Sequence, residues 1–387
     1  MVSGRERVQS AMALGKPSEI PVMCQLSIGH ILLNTSVDPI DFNFTNKGYA
    51  QGLLEIRDRY DFDGILIHKP GREERLLDLA HQEESETGVT LIFPDGGRIL
   101  CRNDDDPQYL SPEGFKKPSI ENCEFERIVD NVPPSMKHWW LNCGLLELQS
   151  LTDVPDFWYA CIDLVREVSQ DRHSIHGEVN SPFDAIFHLL ELEDVMIGLL
   201  THKEIIHGLL DLLAQFNSIW AVAQVHRGCD AIKLSSPWAG SAFISREHYR
   251  EFVLPYERRI VEAVHEEGGL IYTHTCGAIG DRLDLIVESG VHGIECLDPA
   301  PLGDVDLKEA VSAWGDRIFI KGNVDSVNTM LVKSPEEVSI DAHQRLTIGS
   351  QGRGFILSTA CSVAPNVPPE NVRALVEAAR HFGAEIT

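Results

Sequence analysis

A single (β/α)₈ TIM barrel is the α/β fold that this sequence predicts. Three observations carry it: short β-branched runs alternate with helical stretches, eight such runs can be counted, and several of them end in polar side chains. The runs lie at Ile20–Gln25, Gly64–His68, Ser174–Val179, Ala231–Leu234, Leu270–Thr273, Gly293–Cys296, Ile318–Lys321 and Phe355–Leu357. Between them, stretches such as REHYREFVLPYERRIVEAVHEE, GDRLDLIVESG and PENVRALVEAARHFG repeat apolar residues every three to four positions, the period of an amphipathic helix. Parallel strands need such crossovers, and eight closed on themselves make a barrel with its reactive end at the strand C-termini.

Residues 70–153 break this rhythm. They are rich in Asp, Glu, Pro and Asn, and TLIFPDGGRILCR reads as a β-hairpin turning at PDGG. The segment is expected to be an insertion between the second and third strands that folds over the barrel mouth. Its Trp139 and Trp140 are expected to pack the insertion rather than line a cavity.

Composition narrows the function. A chain of 387 residues with 43% hydrophobic and 24% charged residues can bury one large core. The net charge of −26 disfavours nucleic acid and anionic membrane surfaces as partners. The odd count of 9 cysteines, scattered over a long chain, fits reduced thiols, and no signal-peptide pattern or membrane-length apolar window is read; a cytoplasmic location is expected. No glycine-rich phosphate loop or dinucleotide fingerprint is present, so hydride and nucleotide chemistry have no foothold.

The chemistry is read at three strand ends. LIYTHTCGAIGDRLD carries His274 and Cys276 where a strand gives way to a loop, and alternation along extended backbone puts both on one side. HGIECLD ends near Glu295, and GFILSTACS runs out at Cys361. One imidazole, two thiolates and one carboxylate form a tetrahedral donor set suited to Zn²⁺. Asp298 or a solvent or substrate atom competes for the fourth place, while Cys296 faces away if Glu295 faces inward.

These residues, with RERVQSAMALGKPSEIPV, GCDAIKLSSPWAGSAFISREHYREFVLPYERRIV, KGNVD and FILSTACSVAPNVPPENVRALVEAAR, resemble the uroporphyrinogen decarboxylase superfamily over nearly the whole chain outside the insertion. The order of His274, Cys276, Glu295 and Cys361 is similar to that of the zinc ligands of cobalamin-independent methionine synthase. The H-x-C…C part resembles methylcobalamin:coenzyme M methyltransferases and corrinoid-dependent O-demethylases. The decarboxylase branch holds substrate carboxylates with arginines after the first strand, whereas MCQLSIGHILLN has none.

The resemblance implies a zinc-dependent methyltransferase with His274, Cys276, Glu295 and Cys361 as catalytic metal ligands. The expected reaction moves a methyl group from a methyl ether, a methoxylated aromatic, to the cobalt(I) of a separate corrinoid protein. That partner must bring the cobalamin, because no D-x-H-x-x-G corrinoid motif is present. A thiol-accepting methyltransferase is the alternative, and a tetrapyrrole enzyme or non-catalytic corrinoid binder is a further one. The expected pocket residues are His30, His68, Glu178, Phe183, Trp238 and Asn323, with Lys69, Lys233 and Lys321 the only cations near.

Overall fold

The computed structural model describes residues 2–124, 127–128, 132–139 and 148–386. Seven parallel strands form one curled sheet: β1 (Gly64–Ile67), β6 (Ser174–Asn180), β7 (Ala231–Ser235), β8 (Ile271–Thr275), β9 (Gly293–Cys296), β10 (Phe319–Val324) and β11 (Phe355–Thr359), hydrogen-bonded in that order. The run at Ile20–Gln25, expected as the first strand, forms no regular ladder. Val22 and Leu26 instead make isolated parallel bridges to Leu357 and Val363 on the β11 edge. On the β1 edge the same segment is met by Asp63, whose N–H donates to Val22 O at 2.9 Å. Pro21 accounts for part of the irregularity, because it has no N–H to donate to a ladder.

The remaining strands, β2 (His81–Ser85), β3 (Gly88–Ile92), β4 (Arg98–Arg102) and β5 (Gln108–Leu110), form a separate antiparallel sheet inside the segment expected as an insertion. The β3–β4 turn falls at PDGG, where Gly96 takes φ +87° and Asp95 Oδ1 accepts from Gly97 N–H at 2.9 Å. Trp139 ends a short helix, and Trp140 lies outside the described residues.

Inside the curled sheet, side chains fall into layers. At the strand N-termini, Met23, Ala231, Tyr272, Phe319 and Ile356 pack with Val8, Ala11 and Met12 of the N-terminal helix Gly4–Met12, which plugs that end. Above them lies a buried polar layer containing His176, Lys233, Glu295 and Lys321. Outside, the helix Lys203–His226 buries Ile206, Leu209, Leu210, Leu213, Phe216 and Trp220. An 18-residue window of this 24-residue helix reaches a mean hydropathy of 1.3, an apolar stretch that the sequence reading did not single out, and 56% of that window is buried inside the protein.

Asp63 joins the two chain ends to the sheet. Its carboxylate accepts from Arg7 Nη2 at 2.5 Å, Arg380 Nη1 at 3.0 Å and Val22 N–H at 2.7 Å, and it is 1% exposed. Replacing Asp63 by Asn removes the buried partner of two arginines that are 15% and 23% exposed, leaving them only the longer ion-pair contacts to Glu19 and Asp61. Because they can partly rehydrate, the expected cost is about 2–3 kcal/mol rather than the full penalty of breaking a buried pair. Urea unfolding checks this; a loss below about 0.5 kcal/mol, the size of an ordinary surface change, contradicts it.

Candidate metal centre and cavity

Parallel pairing sets the site. His274 on β8 is in register with Glu295 on β9, which is in register with Lys321 on β10, so the three side chains form a row on the inner face. Glu295, 1% exposed, is gripped from both sides: Lys321 Nζ donates to Oε1 at 2.5 Å, and His274 Nδ1 lies 3.2 Å from Oε2. Burial opposes its ionisation, but the Lys321 charge and the His274 hydrogen bond hold its pKa well below the carboxylate range. With Nδ1 turned to a carboxylate, His274 presents Nε2 to Cys276 Sγ, 3.1 Å away.

Cys276 Sγ lies 3.4 Å from Cys361 Sγ, and the donor atoms of His274, Cys276, Cys296 and Cys361 all fall within 4.8 Å of one another. Among the described residues this group includes Cys296 and leaves out Glu295, the residue expected as the fourth donor. The alternation rule assumed extended backbone, but Cys296 has φ +85° and Leu297 φ +56°, which ends the strand and turns the thiol inward. Cys296 Sγ also donates to Asp298 Oδ2 at 3.2 Å, and Asp298 Oδ2 accepts from Gly277 N–H at 2.7 Å.

One nitrogen and three sulfurs suit a tetrahedral thiophilic ion such as Zn²⁺. Zn–S bonds of about 2.3 Å imply donor separations of roughly 3.5–3.8 Å, which the spread here brackets. The charge balance also fits. Hydrogen bonds from Cys276 and Cys296 hold the Cys361 thiol far below its ordinary range. Burial and Lys233 disfavour the imidazolium of His274, yet the neighbouring thiols Cys276 and Cys361 raise its pKa well above the usual value. A metal cation bound by these groups would take the place of the protons they share.

A cavity of about 1050 Å³ opens at the same end of the sheet, between the ends of β1 and β6 and residues from the 70–153 segment. Of the six expected pocket residues, His68 and Glu178 line it. His30 is buried, its Nε2 2.8 Å from Tyr60 Oη and its Nδ1 3.2 Å from Ala364 O. Phe183 is a core residue against Phe187, and Trp238 packs between Phe187 and Phe243 at 4.9 and 4.6 Å. Asn323 Nδ2 donates to Leu297 O at 2.8 Å, bracing the turn that aims Cys296. The four clustered donors do not line the cavity. Lys233 lies between the two, donating to Glu178 at 3.2 Å and to Gln25 at 2.6 Å, with Glu178, Glu295 and Cys276 raising its pKa against burial.

Sequence reasoning passed over Arg72. It sits in the loop after β1, beyond the strand ends searched for cations, and it lines the cavity with Lys69. The lining is therefore charged as well as aromatic, with Lys69, Arg72 and Lys137 beside Glu73, Asp106, Asp153 and Glu178.

Residues 95–382 match the Uroporphyrinogen decarboxylase (URO-D) family. The Methylcobamide:CoM methyltransferase MtbA of Methanosarcina acetivorans is 32% identical over 54% of this chain and 58% of its own length. That of Methanosarcina mazei is 30% identical over 53% and 58%. A uroporphyrinogen decarboxylase from Coxiella burnetii is 27% identical over 61% of this chain and 66% of that one. A solved methyltransferase from Methanosarcina mazei superposes over 99% of both chains with a TM-score of 0.72 at 18% identity, which supports the fold.

If Glu295 orients His274 and Cys296 binds the metal, Glu295→Gln lowers zinc affinity about 10- to 100-fold, the usual effect of losing a hydrogen-bond partner of a ligand. Cys296→Ala lowers it further. Competition with a chromophoric chelator measures both, and a larger loss in Glu295→Gln than in Cys296→Ala reverses the assignment.

Proposed function

The chain belongs to the uroporphyrinogen decarboxylase (URO-D) family, and from that premise we propose a zinc-dependent methyltransferase that moves a methyl group between a small molecule and the cobalt of a separate corrinoid protein. The observation that carries this reading is the convergence of His274, Cys276, Cys296 and Cys361 at the C-terminal end of the strands. Likeness to two methylcobamide:CoM methyltransferases supports the same reaction class. The curled sheet and the segment 21–27 are taken as a closed (β/α)₈ barrel in one domain, with 70–153 covering its mouth.

Zinc held there would act as a Lewis acid on a coordinated ether oxygen or lower the pKa of a coordinated thiol. Glu295 and Lys321 fix the ring of His274 and keep its Nδ1 occupied. Cys276 and Cys361 are half-buried, so the cluster faces the mouth, while Asp298 steadies Cys296 from behind. Lys233, buried between cavity and cluster, offsets their negative charge.

The small molecule is proposed to be a methyl ether, a methoxylated aromatic that acts as donor to cobalt(I). The cavity beside the cluster suits the aromatic body of such a donor: it is at the upper end of small-molecule sites, has Phe93, Trp158 and Trp220 in its wall, and is separated from the clustered donors by the Lys233–Glu178 pair. A thiol acceptor is the second reading, favoured by three sulfurs around one metal, which weaken a Lewis acid but keep a bound thiolate nucleophilic. Either way the corrinoid arrives on a partner, and a chain of net charge −26 selects one of complementary charge, through an association that weakens with salt.

The test adds a methoxyarene to the protein and a cobalt(I) corrinoid protein and follows the cobalt(I) absorbance. The expected result is loss of that band, abolished by His274→Ala. If cobalt is demethylated only when a thiol is supplied, the thiol reading replaces the ether reading; if neither occurs with any tested donor or acceptor, methyl transfer itself is refuted.

A further inference from the structure

The loop after β1 brings three nitrogen donors to one wall of the cavity, and two of them have no partner. Arg72 Nε is buried without a hydrogen bond, and no carboxylate among the described residues pairs with this side chain. Its Nη1 donates only to Pro70 O at 3.1 Å, and its guanidinium lies 4.7 Å from the Tyr49 ring centroid. His68 Nε2 is likewise buried and unpartnered.

The histidine tautomer follows from its neighbours. Tyr49 Oη accepts from Lys69 N–H at 3.2 Å and lies 3.2 Å from His68 Nδ1. The phenol proton is therefore assigned to Nδ1, leaving Nε2 as an N–H donor. Lys69 adds a third group: burial, and then the charge of Arg72, push its ammonium down to about 7. A buried guanidinium with an unpaired N–H group is costly unless an anion completes it.

The loop is also built to stay in place. Gly71 N–H donates to Trp158 O at 2.8 Å, and any Cβ at Gly71 would meet Phe157 O at 1.8 Å. Arg72 N–H donates to Asn46 Oδ1 at 2.6 Å, and Asn46 Nδ2 returns a bond to Arg72 O at 3.0 Å. The cation pair is thus pre-organised rather than gathered by a ligand. Four carboxylates stand in the cavity wall, and among the described residues none pairs with Arg72: Glu178 is taken by Lys233, Asp153 by backbone N–H groups at Gln149 and Ser150, and Glu73 and Asp106 form no ion pair with the guanidinium. Facing the cations are Phe93, Ile99, Trp158 and Trp220.

We propose that this cavity binds an organic anion, a carboxylate or sulfonate on an apolar body of aromatic size, with Arg72 as its counter-ion and His68 Nε2–H as a second donor. The site needs neither the metal cluster nor the methyl-transfer reading, although such an anion would be well placed to be the small molecule of that reaction.

The test uses 4-ethylbenzoate and its neutral isostere 4-ethylbenzamide, which have no methyl ether to transfer. Binding is read by calorimetry and by the fluorescence of Trp158 and Trp220. The acid is expected to bind at least about 10-fold more tightly than the amide. Arg72→Gln should bring the two to parity, and His68→Phe should cut the preference severalfold. Cys276→Ser should leave it unchanged. Equal binding of acid and amide, no binding of the acid, or a preference that survives Arg72→Gln overturns the proposal. Should Arg72→Gln fail to fold, Arg72→Lys together with His68→Phe decides it, because an unchanged preference in both is incompatible with these contacts.

Discussion

A carboxylate 1% exposed at the centre of a protein must be paired or neutralised, and the pairing of Glu295 organises what surrounds it. Lys321 holds one oxygen and His274 the other, all three in register across β10, β9 and β8. If Lys321 were lost, a poorly compensated carboxylate would remain in the core, at a cost of about 3–5 kcal/mol. The row therefore fixes the imidazole in one orientation, and with it the nitrogen that meets the thiols. Lys233, between Glu178 and Gln25, is a second buried polar junction in the same interior. The apolar layer beneath, closed by the N-terminal helix, is what keeps these charges dry.

Strands were the most legible feature of the sequence, because a β-branched run buried on both faces has few other readings. The run Gly293–Cys296 is the observed β9, and the expected starts of β6, β7 and β11 coincide with the structure, with ends one or two residues longer. The first run was less faithful, since Pro21 and the curl of the chain leave Val22 and Leu26 with bridges in place of a ladder. His274, Cys276 and Cys361 could be picked out because each stands at or just past a strand end. Cys296 could not, because a period of two holds only while φ stays extended. A positive φ at a non-glycine residue is a tertiary decision, made here where β9 ends beneath Asn323 and Asp298.

The pocket was harder still. Its walls come from the loop after β1, from β6, from outer helices and from the antiparallel sheet, elements far apart in the chain whose meeting no local pattern announces. His30, Phe183 and Trp238 look the same in sequence as a substrate-facing residue does, yet packing claims each of them. Arg72 was hidden for the opposite reason: in sequence it is one charge in a polar loop, and only the fold shows that its Nε has no partner. The cluster of His274 and three cysteines and the cavity thus stand as two separate constructions at one end of a single sheet, joined through the Lys233–Glu178 pair.

The account rests on a centre of one nitrogen and three sulfurs, with Glu295 outside it. X-ray absorption at the zinc edge of the zinc-loaded protein addresses this directly. It should show three sulfurs at about 2.3 Å and one nitrogen at about 2.0–2.1 Å. Two sulfurs accompanied by a nitrogen and an oxygen would contradict it, returning Glu295 to the metal and Cys296 to the core.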